Sequence, residues 1–151
     1  MEWLNLYGII IIALILVPNI LFAVKCSDGF ENRWKNRTAE ILEQAGRYAC
    51  MGFMIFNIPG TYCGFWFAGG LAAYLIVNGI LIAAYCIIWA VCFRKNNVFR
   101  ALFLSILPSL IFLFSGVSLG SFLLIAAAVL FAPCHILISY KNAVFLADKP
   151  H

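Results

Sequence analysis

Five polar residues in an otherwise apolar chain have the types and placement to do chemistry: Asn19, Glu43, Gln44, Arg47 and His135. Glu43 and Arg47 lie in the stretch Thr38–Gly60, TAEILEQAGRYACMGFMIFNIPG, which starts as a charged helix and continues as an apolar one. Glu40, Glu43, Gln44 and Arg47 share a helical face, and Glu43 precedes Arg47 by one turn, the order that favours an ion pair. The apolar run after Arg47 is too short to cross a bilayer alone. The span must take in the charged turns, and ionisable groups at that depth point to function by default.

Depth can be read from the flanks. With this span ending near Ile58, a hydrocarbon layer of roughly 30 Å puts its other boundary near Ala39. Glu43 is then about 6 Å and Arg47 about 12 Å inside that boundary. Asn19 and His135 each precede a lysine, Lys25 and Lys141, by a distance that corresponds to about 9 Å along a helix. The four groups therefore fall in one layer, and Pro18 and Pro133 stand close to Asn19 and His135. Proline-interrupted helices beside polar groups mark binding sites in transporters. The layer is expected to form a pocket, with Gln44 beside it. The competing expectation is that Glu43 pairs with Arg47 along its own helix, Arg47 snorkels to the headgroups, and His135 is satisfied beside a kink.

The elements that must position these residues are membrane helices. Of 151 residues 65% are hydrophobic and 11% charged, more apolar surface than one soluble core of this size can hide. The expected fold is all-α, a polytopic transmembrane bundle of five spans at about residues 3–24, 39–58, 66–93, 99–115 and 119–140. Pro59-Gly60 is expected to end the second span, and Thr38 to cap its start. Residues 101–138 carry no charge and extend to roughly 57 Å as one helix, so they must be two spans, with the turn expected at Ser115–Ser121. Every one of the ten Lys and Arg residues falls on one side of this arrangement, in loops 25–38 and 94–98, the tail 141–151, or the adjoining helix end. The positive-inside rule then makes the N-terminus external and the C-terminus cytoplasmic.

Other chemistry is poorly supported. Gly116-Val117-Ser118-Leu119-Gly120 matches G-x-S-x-G, but that motif works at a strand-to-helix turn with a base and an acid in reach. Here it joins two membrane helices, with His135 about 25 Å along the chain. The six cysteines form no C-x-x-C pair and read as small buried apolar residues. No metal or other cofactor is expected. Asn57 and Asn78 lie at other depths and read as hydrogen-bonding contacts between helices. The expected partners are the bilayer, anionic lipid headgroups on the cytoplasmic side, and a membrane-protein partner or a second copy of the chain; nothing suggests nucleic acid.

Three stretches, Glu43-Gln44-Ala45-Gly46-Arg47, Ile58-Pro59-Gly60 after Asn57, and Ala132–Asn142 (APCHILISYKN), resemble a group of small five-span membrane proteins of Gram-positive bacteria with no assigned activity. The resemblance implies a class and a location, the plasma membrane, and no activity. The functional expectation is a non-enzymatic protein that binds or moves a small molecule, or an accessory or regulatory subunit of a membrane complex. The alternatives are a membrane-embedded enzyme acting on lipid at the cytoplasmic leaflet, with His135 or Glu43 as acid or base, and a purely structural, oligomerising protein. Cysteine labelling checks the topology. A membrane-impermeant maleimide added to intact cells is expected to label Cys63 and spare Cys26, and labelling of Cys26 would overturn the orientation.

Overall fold

The structure, a computed structural model, describes residues 3–25, 34–93 and 97–147. Parts of both predicted basic loops (26–33 and 94–96) and the end of the tail (148–151) lie outside the described residues. Five helices follow one another: α1 (Leu6–Lys25), α2 (Arg37–Ile55), α3 (Gly70–Cys92), α4 (Val98–Leu119) and α5 (Phe122–Ala147). The described residues contain no strand, only two isolated bridges. Four helices, all but α2, are long and apolar enough to cross a membrane. The exception carries Arg37, Glu40, Glu43 and Arg47 within its length.

The helix ends differ from the expected ones for local reasons. Asn36 caps α2 in place of Thr38, its side-chain oxygen accepting from the Ala39 amide at 3.1 Å, so Thr38 sits inside the first turn. α2 stops at Ile55, short of Pro59-Gly60, because the next residues extend and pair with the chain ahead of α1. The Asn5 amide donates to the Ile55 carbonyl at 2.8 Å and the Asn57 amide to the Trp3 carbonyl at 2.9 Å. α4 runs through most of the expected turn to Leu119 and ends at Gly120, whose φ of 57° is left-handed. The Ser121 amide returns to the Gly116 carbonyl at 2.9 Å and the Gly120 amide to that of Val117 at 3.1 Å, a Schellman closure. The G-x-S-x-G match is thus the last turn of a helix, with Ser118 buried.

α4 packs between α3 and α5, α5 packs on α2, and α1 lies across α2 and α3. The helix ends gather at two poles. At the basic end the Trp34 amide donates to Asn142 on α5 at 2.8 Å, and Arg100 reaches the Phe93 carbonyl at 3.3 Å. At the Gly120 end Trp66 Nε1 donates to the Val117 carbonyl at 2.8 Å, and the Phe122 amide to that of Thr61 at 3.1 Å.

Many large apolar side chains are exposed while several polar ones are buried, unlike the usual pattern of a water-soluble protein. Glu43, Asn78, Ser105, Ser109, Ser115 and Ser118 are buried, while Ile10, Leu14, Val17, Ile76, Ile80, Ile87 and Val129 are exposed. Four long apolar helices with this arrangement are compatible with a multi-pass membrane protein.

α2 and α5 approach closely at Gly46. A Cβ there would lie 2.9 Å from both Cα and Cβ of Phe131, whereas a Cβ at Gly52 would meet nothing within 4 Å. Gly46→Ala must push two backbones apart and is expected to lower unfolding free energy in detergent by about 1–3 kcal/mol. Gly52→Ala is expected to be neutral or to stabilise by up to about 1 kcal/mol through helix propensity. Chemical unfolding followed by circular dichroism measures both, and equal effects would contradict the packing.

Candidate functional site

The site is built where α2 and α5 cross. Helical spacing puts Glu43 and Arg47 one turn apart on α2, beside Gly46. On α5 the same spacing puts His135 one turn after Phe131, and the two rings stack with centroids 4.6 Å apart. His135 Nδ1 lies 2.9 Å from Glu43 Oε1. The same oxygen accepts from Arg47 Nε at 3.0 Å and from Arg47 Nη2. Glu43, Arg47 and His135 thus form one network that joins two helices.

Burial gives the network a direction. The Glu43 side chain is 5% exposed, that of His135 21% and that of Arg47 37%. The carboxylate is at the floor, and the two nitrogen-bearing groups reach outward. Among the described residues Arg47 Nη1 and His135 Nε2 make no hydrogen bond. An ionised carboxylate only accepts, so Nδ1 of His135 carries the shared proton and Nε2 is the nitrogen left to accept or take up another. The arrangement can bind a polar or anionic group through Arg47 and His135. It also has the orientation of a carboxylate–histidine acid/base pair. Among the described residues no three His, Cys, Asp or Glu side chains converge as metal ligands would.

The other two expected site residues stand apart. Asn19 Nδ2 donates to the Ile15 carbonyl at 3.0 Å and to Tyr85 Oη on α3 at 2.8 Å, without touching Glu43 or His135. Gln44 follows Glu43 by one residue, about 100° around the helix, and is exposed. Tyr85, buried on α3, holds Asn19 through its hydroxyl. Sequence reasoning passed over Tyr85, Gly46 and Phe131. For Tyr85 the one available signal was depth, about 12 Å along the helix from Phe93.

A second polar group lies nearer the Gly120 end. Asn78 Nδ2 donates to the Tyr74 carbonyl at 3.0 Å and to Ser115 Oγ at 3.1 Å, tying α3 to α4. That is the interhelical role expected of Asn78. Beside these groups, Asn5 Nδ2 and Tyr74 Oη are buried without a partner among the described residues.

Double-mutant cycles separate the network from its neighbour. Glu43→Gln with His135→Gln is expected to show a coupling of about 1–3 kcal/mol in detergent unfolding, and Glu43→Gln with Asn19→Leu less than about 0.5 kcal/mol. Equal couplings would mean that Asn19 belongs to the same network.

Compared with protein-family models, with curated proteins and with solved structures, the chain matches none.

Proposed function

We propose that this is a five-span plasma-membrane protein that binds or moves a small polar molecule at the Glu43–Arg47–His135 network, without catalysing a reaction, alone or as an accessory or regulatory subunit of a larger complex. The observation that carries the reading is the network itself. A carboxylate is buried in an apolar bundle, shared by two nitrogen-bearing side chains, and these remain partly open on their outer side. Intramembrane ionisable groups in such an arrangement mark ligand and ion pathways.

Counting α2 as the fifth span rests on its neighbours. Trp34, which leads into it, is bonded to Asn142 near the end of α5, and its last residue Ile55 to Asn5 ahead of α1, so it extends alongside helices that are long enough to cross. The orientation rests on charge. Lys25, Arg37, Arg100 and Lys141 belong to helix ends at the basic pole, which by the positive-inside rule is cytoplasmic. A bacterial plasma membrane is our reading from the resemblance to small five-span proteins.

A thermal-shift screen of polar and amphiphilic small molecules on the purified protein tests the binding role. At least one compound is expected to raise the melting temperature of the native chain, and Arg47→Ala and His135→Ala are expected to fold yet lose the rise. A hit to which both variants respond normally would overturn the site.

The geometry between Glu43 Oε1 and His135 Nδ1 favours a second reading, a membrane-embedded enzyme acting on lipid with His135 Nε2 as general base. Incubation with labelled lipids distinguishes it. This reading requires a product that the native protein makes and His135→Ala does not.

A further inference from the structure

α1 changes neighbours along its length. At the Gly120 end it lies against α2: Leu4 pairs with Phe56, the Asn5 amide reaches the Ile55 carbonyl, and a Cβ at Gly8 would collide with the Met54 carbonyl oxygen. At the basic end its partners are on α3 and α4. Asn19 bonds Tyr85, the Phe22 ring packs 4.8 Å from Trp89 and 5.4 Å from Phe93, and the Arg100 guanidinium sits 4.9 Å over Phe22. From Val17 to Lys25 Phe22 alone is buried. α1 therefore crosses from α2 to α3, leaving the basic half of α2 without its cover.

The uncovered surface is polar. Arg37, Glu40, Gln44, Arg47 and Tyr48 fall within about 100° of the helix circumference. Arg37, Gln44 and Tyr48 are exposed, and Arg47 and Glu40 are partly so. Glu40 has a partner of its own, whereas Arg47 Nη1 is bonded to nothing among the described residues. The track climbs about 15 Å from Arg37 to Arg47. Ile41 beside it on α2 is exposed and apolar, as are Val17, Leu21 and Val24 on the basic half of α1.

We propose that the cleft between the basic halves of α1 and α2 is a lateral site for an anionic phospholipid. Its phosphodiester is drawn along the track to Arg47, and its acyl chains stay on the exposed apolar side chains. The inference rests on the binding role proposed above for Arg47 and names its ligand class. A guanidinium with an unused N–H edge is suited to a phosphate oxygen. The sideways opening selects the source of that phosphate. A water-soluble anion seated here would face hydrocarbon on one side, an uncompensated desolvation. A phospholipid fills that side with its own chains.

The test is native mass spectrometry of the purified full chain in non-ionic detergent containing equal amounts of dioleoylphosphatidylglycerol and dioleoylphosphatidylcholine, with glycerol 1-phosphate as a separate soluble probe. The native protein is expected to retain phosphatidylglycerol about tenfold over phosphatidylcholine, a ratio matching one charge-assisted contact, and to retain no glycerol 1-phosphate. Arg47→Gln is expected to abolish the preference and Lys141→Gln to leave it intact. On the native protein, photoactivatable phosphatidylglycerol is expected to cross-link within 17–25 and 40–48, a readout independent of how the variants fold. Arg47-dependent retention of glycerol 1-phosphate without lipid preference overturns lateral lipid entry and leaves the binding role standing. Cross-links confined to other segments, with a preference that survives Arg47→Gln, overturn the lipid site. The binding role is then decided by the thermal-shift screen alone.

Discussion

The contact between Gly46 and Phe131 is the constraint on which the charged half of this bundle depends. α2 and α5 are antiparallel, with Trp34, which leads into α2, bonded to the last turns of α5. Moving back from Gly46 to Glu43 and forward from Phe131 to His135 therefore covers similar distances in the same direction, about 4.5 and 6 Å. Once the backbones meet at Gly46, the carboxylate and the imidazole are level and within bonding distance. A side chain at residue 46 would hold the helices apart and leave Glu43 to Arg47 alone. A buried carboxylate is tolerable when its lone pairs are engaged by several donors. The glycine is thus what permits a helix with four charges to sit among helices that have almost none.

The same logic extends to the rest of the bundle. Apolar contact cannot choose helix neighbours inside a bilayer, because the lipid is as apolar as the side chains. Three of the pairings have a polar tie between side chains instead. Asn78 and Ser115 join α3 to α4, Asn19 and Tyr85 join α1 to α3, and Glu43 and His135 join α2 to α5. Between these ties the interior is filled by apolar residues such as Cys50, Met54, Ile111 and Leu124. The ties specify the arrangement and the apolar layers fill it.

Position along each helix was legible in the sequence, and direction around the bundle was not. Asn19 and His135 each stand six residues before a lysine, Lys25 and Lys141, and a helix advances evenly along its axis. Nothing in a single chain says which neighbour each side chain faces. His135 turns toward Glu43, while Asn19 turns toward Tyr85 on a helix that offered no proline or charge to mark it. Gln44 shared a stretch with Glu43 and yet faces outward, since adjacent residues diverge by about 100°. The all-helical class followed from composition, as did the four long apolar helices. The ends did not, because they are decided by tertiary pairing at Ile55 and by a left-handed glycine at residue 120. Both features depend on partners distant in the chain or on a backbone angle that either Gly116 or Gly120 could have supplied.

What Arg47 meets is decided on α1, a helix that contributes nothing to the Glu43 network. Proline at residue 18 has no amide to return to the Leu14 carbonyl, so the helix is weakened at the point where α1 leaves α2 for α3. Beyond it, Asn19 and Phe22 hold α1 to Tyr85, Trp89 and Phe93. If these contacts were lost and α1 continued along α2, its apolar side chains would lie over Gln44 and Arg47. A partly exposed guanidinium would then be sealed under hydrocarbon with Glu43 as its sole counterion. The crossing keeps one edge of Arg47 open. The network is built by α2 and α5, and what lies over its open edge is set by where α1 is anchored.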